Sequence, residues 1–267
     1  MLRSLYTAAT GMEAQELKMD VVSNNLANAS TTGFKRVRAD FEDLLSETLR
    51  APQAAAPEGG TAPAPLQVGL GVRTGATSRD FGQGDLVATG NALDVAIEGA
   101  GFFRVQRPNG ELAYTRAGNF RVDAGGRLVT QRGELVEPGI DFPPDVVEIT
   151  IQADGAVLAR TASATAADEL ERAELVGTLE LSTFVNPGGL LALGGNLYAE
   201  SEASGEAIHV RPGDQGAGSL TPGHLEGANV RAVEEMIDMI TAQRAYELNS
   251  KVIQTADAML QRLAQLK

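Results

Sequence analysis

The residues of this chain that could do chemistry begin with two glycines, Gly99 and Gly101, that follow a predicted strand. A dinucleotide-binding loop carries three glycines in the pattern GxGxxG, but Arg104 stands at the third position. Residues 102–106 read as another strand, whereas a phosphate-binding loop opens a helix. We therefore expect the glycines to allow close packing of the backbone, and we predict no cofactor.

Acidic and histidine side chains also lack the arrangement of a catalytic or metal site. The chain has no cysteine and two histidines, His209 and His224, without the spacing of a zinc site. Glu234, Glu235 and Asp238 lie off the apolar face of a predicted helix, so we expect them on a solvated surface. No GxxxxGK[ST], HExxH or GxSxG motif occurs. We predict no enzyme, although the sequence leaves open two carboxylates across a cleft, as in a glycan hydrolase.

The composition excludes further classes of function. Lys and Arg number 22 and Asp and Glu number 35, so the net charge is −13. Such an acidic chain is a poor ligand for nucleic acid or for an anionic membrane surface. No run approaches the roughly 18 apolar residues of a membrane-spanning helix, so we expect no membrane insertion. The first 28 residues contain four charged side chains near their centre and do not read as a cleaved secretory signal.

The elements that must carry the function are two long helices on either side of a different middle. Residues 1–30 and 228–267 each repeat apolar side chains in the a/d heptad pattern of helices that pack on other helices. The predicted assembly seam consists of Leu5, Met12, Met19, Val22, Leu26, Met239, Tyr246, Ile253, Leu260 and Leu263. Two interpretations stay open: the helices pair with each other and cap the chain's own middle, or their seams bind other copies of the chain.

A turn box follows the first helix. Asn28 tolerates left-handed geometry, Thr32 competes for backbone hydrogen bonds, Gly33 suits a left-handed turn, and Phe34 returns to an apolar environment. Beyond it, the apolar residues between positions 34 and 45 have helical spacing, which predicts a short helix. Four prolines then follow before residue 66, which predicts an extended arm over residues 50–66.

The middle of the chain, from residue 67 to about residue 209, reads as β structure. Apolar residues alternate there with period two, as in Val147, Ile149 and Ile151. Turn pairs that predict hairpins occur at Asn109-Gly110, Gly125-Gly126, Arg132-Gly133 and Asp154-Gly155. An acidic interval at residues 162–174 is left open as a short helix or a mobile loop.

These patterns predict a mixed α and β fold. A mostly antiparallel β body carries long N- and C-terminal heptad helices that pair in a coiled-coil layer. We expect an inner domain from residues 1–30 and 228–267, a connecting region from residues 31–92 and 186–227, and an outer antiparallel β domain from residues 93–185.

Boxes along nearly the whole chain carry a family resemblance. They are TTGFK (residues 31–35), LQVGLGVR (66–73), FGQGDLVATGNALDVAIEGAGFFRV (81–105), YTRAGNF (114–120), FVNPGGL (184–190) and LEGANV (225–230). In this order they resemble the axial proteins of the bacterial flagellum, the rod and hook family. The chain departs from the family pattern at Ala228, where a serine is usual, and at residues 222–224, which concerns loop details.

The resemblance implies a structural subunit. In this family the terminal helices form the inner coiled-coil layer of a helical tube of many copies, and the body forms the outer layer. The arm and residues 66–73 favour the distal rod, a rigid shaft that transmits motor torque to the hook. A hook or proximal rod subunit is the alternative within the family, and a soluble β-rich binding protein is the alternative outside it.

Partners and location follow from the same resemblance. It implies contact with other rod and hook subunits, with the periplasmic and outer-membrane ring proteins, and with the flagellar export apparatus. The subunit would leave the cytoplasm without a cleaved signal peptide and would join the part of the flagellar basal body that crosses the periplasm. No nucleic acid partner is expected.

Overall fold

The computed structural model describes residues 2–50, 65–161, 174–214 and 216–265. The chain divides into two compact units. The first comprises Met1–Ala27, Val37–Arg79 and Arg231–Lys267, and the second comprises Asn28–Arg36 and Asp80–Val230. The arm between residues 51 and 64 and the acidic interval up to residue 173 lie outside the described residues. The three-part division expected from the sequence stays a prediction.

Over the residues that the structure describes, the first unit holds two helices and four strands. Helix α1 spans Leu2–Ala27 and helix α2 spans Ala232–Gln265. Strand β1 (Val37–Asp43) pairs antiparallel with β4 (Val72–Arg79), and β2 (Ser46–Arg50) pairs antiparallel with β3 (Leu66–Gly69). The β2–β3 pairing joins the two ends of the predicted arm in one hairpin. Neither described helix is long and apolar enough to cross a membrane.

The short helix expected between residues 34 and 45 is wrong, because strand β1 occupies this segment. Val37 and Phe41 fit helical spacing, but with Ala39 they also fit period two, and all three are half-buried. The strand is hydrogen-bonded to β4, whose first residue follows about 30 positions later in the chain. This nonlocal pairing decides between two periods that a short apolar pattern cannot separate.

The described residues of the second unit form sixteen short strands. They are β5 (Leu86–Ala88), β6 (Val95–Glu98), β7 (Phe102–Gln106), β8 (Leu112–Thr115), β9 (Arg121–Val122), β10 (Leu128–Val129), β11 (Leu135–Glu137), β12 (Val146–Ile151), β13 (Ala156–Thr161), β14 (Glu174–Thr178), β15 (Leu181–Thr183), β16 (Leu191–Gly194), β17 (Leu197–Ala199), β18 (Ile208–Val210), β19 (Ser219–Pro222) and β20 (His224–Glu226).

The strands of the second unit form one large sheet and three small ones. The large sheet has nine strands, in the order β16-β17-β8-β7-β11-β10-β9, with β15 pairing β7 and β18. The small sheets are β12-β13-β14, β19-β6 and β20-β5. Every described strand pair is antiparallel. The predicted mostly antiparallel body with a helix before and after it is confirmed.

All four predicted hairpins are confirmed. Asn109-Gly110 connects β7 to β8, and Asp154-Gly155 connects β12 to β13, with φ of +84° and +89° at the two glycines. The other two turn pairs connect β9 to β10 and β10 to β11. A positive φ is cheap only for glycine, which is why these pairs could be read from the sequence.

The interior of the second unit is mainly aliphatic. Its larger core cluster includes Val95, Ile97, Phe103, Leu128, Val157, Leu179 and Leu181, all at most 1% exposed. A second cluster joins Phe102, Tyr114, Phe184, Leu190 and Tyr198, with aromatic rings packed edge to face. These two clusters support the strands that carry the buried charges described next.

Candidate functional site

Three charged side chains meet in the interior of the second unit. Glu226, at the end of β20, accepts hydrogen bonds from Lys35 Nζ to Oε1 (2.7 Å) and from Arg116 Nε to Oε2 (2.8 Å). Lys35 and Glu226 are fully buried, and Arg116 is 3% exposed. Lys35, Arg116 and Glu226, which we call the charge cluster, contain two positive charges and one negative charge.

Backbone groups complete the charge cluster. Lys35 Nζ also donates to the carbonyl oxygen of Gly82 (2.7 Å), and the backbone N–H of Gly84 donates to Glu226 Oε1 (2.9 Å). Arg116 Nη1 donates to the carbonyl oxygens of Gly99 and Gly101, both at 2.8 Å. The glycine loop that resembles a nucleotide site therefore wraps an internal guanidinium, which agrees with the expected close packing.

Burial and the neighbouring charges shift the pKa values of Glu226 and Lys35 in opposite directions. Burial alone would raise the pKa of Glu226, but the hydrogen bond and charge of Arg116, followed by those of Lys35, outweigh it and hold that pKa below its ordinary value. Burial lowers the pKa of Lys35, and Glu226 opposes this shift. The carboxylate of Glu226 is therefore the one counter-ion that both cations share.

The charge cluster connects distant parts of the sequence. Lys35 lies in the TTGFK box, Arg116 in the YTRAGNF box and Glu226 in the LEGANV box. Sequence reasoning did not find this site, because the three residues look like ordinary surface charges when each is read alone. The signal available was a basic or acidic residue one or two positions from a glycine in all three boxes.

The turn box lies next to the charge cluster. Gly33 has φ of +69°, as the sequence predicted, and its N–H donates to the carbonyl oxygen of Glu226 (2.8 Å). Phe34 is buried, and the side chain of Asn28 accepts a hydrogen bond from Thr31 Oγ1. The carbonyl oxygen of Thr32 accepts from the side chain of Asn196 (2.8 Å). These contacts hold the segment that brings Lys35 to Glu226.

In the first unit, α1 and α2 pack against each other in opposite directions. Gly11 faces the side chain of Asn249, and Asn25 Nδ2 donates to Glu235 Oε2 (3.1 Å), which fixes the antiparallel register. The closest approach uses small residues. Ala8, Ala14, Val22, Ala242 and Ala256 are all buried.

The predicted assembly seam lies mostly on this internal face. Val22 is buried, and Leu5, Met12, Met19, Leu26, Met239, Ile253 and Leu260 are half-buried. Tyr246 is 38% exposed, and the side chain of Leu263 is outside the described set. Pairing within one chain thus covers much of the seam, while its role in assembly stays a prediction.

Away from α1, helix α2 carries a second row of exposed apolar side chains; the sequence marks Val252 and Met259 as widening the heptad seam, and sequence reasoning missed the others. This outward stripe consists of Val233, Met236, Ile237, Ile240, Leu248, Val252 and Met259. Val233 is 71% exposed and Ile237 is 58% exposed. The heptad pattern predicts only one apolar face, but α2 is apolar on two faces. A helix with two apolar faces needs a second partner to bury the second face.

Glu235 contradicts the solvated surface expected for its segment. It is 1% exposed and accepts a hydrogen bond from Asn25, which is equally buried. The Asn25 amide also receives the backbone N–H of Val37 (3.0 Å) and donates to the Val37 carbonyl (2.8 Å). Glu235 lies one heptad before the buried Ala242, on the face of α2 that packs on α1, where Asn25 covers it. The expectation treated it as a surface carboxylate and did not extend the heptad register back to it. Glu234 is exposed and Asp238 half-buried.

Each of the two histidines lies beside one polar group. Within the parts of the chain that the structure describes, no group of three His, Cys, Asp or Glu side chains could hold a metal ion. His209 Nδ1 lies 3.0 Å from Ser182 Oγ, but Ser182 is buried. His224 Nδ1 lies 2.9 Å from the Pro222 carbonyl oxygen.

Comparison with known proteins agrees with this geometry. Three family models match: the flagella basal body rod protein at residues 5–35, the flagellar hook protein FlgE/F/G D1 domain at residues 96–159, and the flagellar basal body rod FlgEFG protein C-terminal region at residues 221–266. Flagellar basal-body rod protein FlgG of Buchnera aphidicola subsp. Schizaphis graminum is 47% identical over 266 residues, and FlgG of Bacillus subtilis is 41% identical over 273 residues, in each case across 100% of both chains. FlgF of Caulobacter vibrioides is 34% identical over 94% of this chain and 91% of its own.

The chain therefore belongs to the flagellar basal-body rod protein family, whose members are structural proteins. Members of this family assemble with other rod and hook subunits in the basal body. Within the family, the chain is a structural subunit of the distal rod of the bacterial flagellar basal body.

Proposed function

We propose that the chain self-assembles into a rigid helical tube that transmits motor torque to the hook. In this tube α1 and α2 form a coiled-coil inner layer, and the subunit acts by mechanical connection without catalysis. One observation carries the proposal: α2 presents the outward stripe to solvent after its opposite face has packed on α1. A second copy is the partner that a repeating tube supplies for such a face.

The size of the outward stripe supports this role. Complete burial of one large aliphatic side chain contributes about 1.5–3 kcal/mol. Seven side chains that are each roughly half exposed could therefore contribute about 5–10 kcal/mol gross in each subunit contact. Loss of translational and rotational freedom opposes association by about 4–15 kcal/mol, so a stable tube needs several neighbours at once.

The proposal extends to partners and to delivery. The ends of the tube would contact other rod and hook subunits, and its outer surface would pass the periplasmic and outer-membrane ring proteins. The subunit would reach its place through the flagellar export apparatus with no cleaved signal peptide. The arm would stiffen the tube, since the β2–β3 hairpin joins its two ends in register.

The substitution Ile237→Asp tests the role of the outward stripe. A charge buried in a helix interface costs several kcal/mol, but Ile237 is exposed in the single chain, so the subunit should fold normally. Sedimentation velocity should show concentration-dependent polymers for the unmodified chain and monomers for Ile237→Asp. Val147→Asp is the matched control, because Val147 is 63% exposed on the β body.

Two outcomes would count against self-assembly. Polymers of normal length from Ile237→Asp would show that the outward stripe is not an interface. A monomeric unmodified chain at every concentration, with both helices resistant to proteolysis, would favour the alternative of a soluble β-rich binding protein.

A further inference from the structure

The outward face of α1 is acidic. Glu13, Glu16 and Asp20 are exposed, on the side of the helix opposite Val22 and the other residues buried against α2. Among the residues that the structure describes, none of these three carboxylates has an ion-pair partner. Lys18, the cation between them, points elsewhere and contacts Asp238.

The outward face of α2 is basic where it is not apolar. Arg244 and Lys251 are exposed and continue the line of the outward stripe between Ile240 and Val252. Neither cation has an ion-pair partner within the described ranges. An interface that covers the outward stripe must therefore also meet two positive charges.

The spacing of the two sets of charges matches. Glu13 and Asp20 are seven residues apart, and so are Arg244 and Lys251. Seven residues are about two helical turns and rise ~10.5 Å, so each pair lies on one side of its helix. The two pairs cannot meet within one chain, because α1 and α2 already face each other through Gly11 and Asn249 and carry these charges on their outer sides.

We propose that the acidic face of α1 in one copy docks on the outward stripe of α2 in a neighbouring copy. This proposal rests on the self-assembly proposed above and names the surface that covers the stripe. Subunits in a tube share one direction, so the neighbour's α1 runs antiparallel to α2, with Glu13 opposite Lys251 and Asp20 opposite Arg244. This register differs from the pairing inside one chain by about four residues, ~6 Å along the helix.

The proposed contact joins two different surfaces of the same chain. Each copy therefore keeps one surface of each kind free after it binds a neighbour, and a contact of this type propagates into a ring or an open helical polymer. Flanking ion pairs of this kind also set partner choice and direction in coiled coils. Because the chain has a net charge of −13, two cations on this face distinguish it from the rest of the acidic surface and favour the acidic face of α1 as its partner.

Charge reversal tests the contact. The double variant E13K/D20K makes both outward faces positive, and R244E/K251E makes both negative, so each alone should remain monomeric in sedimentation velocity at low salt. Mixed in equal amounts, the two variants should copolymerise, because each offers the surface that the other needs. A chain with all four substitutions should assemble alone.

Controls separate this proposal from the one on which it rests. D145K/E202K reverses two exposed charges on the second unit and should assemble like the unmodified chain. If the unmodified chain polymerises and both double variants still do so, the α1–α2 docking is wrong while self-assembly stands. Double variants that fail to assemble alone and are not restored by mixing also overturn the docking. An unmodified chain that never polymerises overturns self-assembly itself.

Discussion

The substitution Glu226→Gln removes the one negative charge from the charge cluster with almost no change of shape. Glutamine keeps one carbonyl oxygen, which can still accept from one of the two cations, but its NH2 group cannot accept from the other. Lys35 and Arg116 then remain buried without a counter-ion. In the unmodified chain their nitrogen atoms lie 2.7 and 2.8 Å from the Glu226 carboxylate oxygens. The steric fit survives, so the measured loss reports the charge.

The expected loss is large. Removing one partner from a buried ion pair destabilises a protein by about 3–5 kcal/mol. For a folding unit of 150–250 residues, 1 kcal/mol corresponds to roughly 2–4 °C in Tm, so Tm should fall by about 6–20 °C. Near-ultraviolet circular dichroism is a suitable measurement, because the buried Tyr114 and Tyr198 report packing in the second unit. Glu202→Gln, at an exposed site, should leave Tm unchanged.

The pH dependence supplies a second readout of the same substitution. The folded pKa of Glu226 lies below its ordinary value of about 4.5, so the folded state holds this group ionised more strongly than the unfolded state. The stability that it contributes is present above pH 4.5 and is lost as pH falls through the folded pKa. The difference in unfolding free energy between the unmodified chain and Glu226→Gln should therefore be constant near neutrality and shrink below pH 4.5.

Either of two results would refute this reasoning. A loss under about 1 kcal/mol at neutral pH, compared with the roughly 3–5 kcal/mol expected, would mean that water or backbone carbonyls solvate the cations well enough without the carboxylate. A difference that does not shrink in acid would mean that the substitution acts through packing. The double variant Glu226→Gln with Lys35→Met should then be compared, since it removes one of the stranded cations and should recover part of the loss.

Two further substitutions test other parts of the structure. Asn25→Asp places a carboxylate beside buried Glu235 and should lower the unfolding free energy by about 2–5 kcal/mol at neutral pH. Thermal melts followed by circular dichroism at 222 nm measure this loss. An unchanged melt would contradict the buried contact. Gly118→Ala would place a methyl group against the carbonyl oxygen of Val95 and should prevent folding of the second unit. The control Gly139→Ala meets open space and should leave stability unchanged. Proteolysis of the expressed variants distinguishes the two outcomes.

Local patterns accounted for much of the fold. The heptad repeats predicted both helices. The predicted start of α2 near Val230 and its predicted end at Gln265 agree with the observed helix, Ala232–Gln265. The glycine-containing turn pairs predicted four hairpins, because a left-handed turn needs a residue without Cβ. Family boxes along the chain predicted a flagellar axial protein, and the comparisons confirm it.

Errors arose where a partner distant in the sequence decides the environment. The apolar residues of β1 fit a helix until β4 pairs with them. Glu235 reads as a surface carboxylate, but it lies one heptad before the buried Ala242 and is covered where α1 brings Asn25 against it. Propensity and periodicity describe one segment at a time, so they cannot register such neighbours.

The sequence by itself thus determined the family, the two helices and the antiparallel body, since each depends on order along the chain. Only the tertiary structure decided which charges become buried and which apolar faces stay open. Lys35, Arg116 and Glu226 form one cluster because the fold removes all three from water together, and the hydrogen bonds that both cations donate to the shared carboxylate replace those lost to water. The outward stripe of α2 is free because α1 covers the opposite face, which no count of apolar residues reveals.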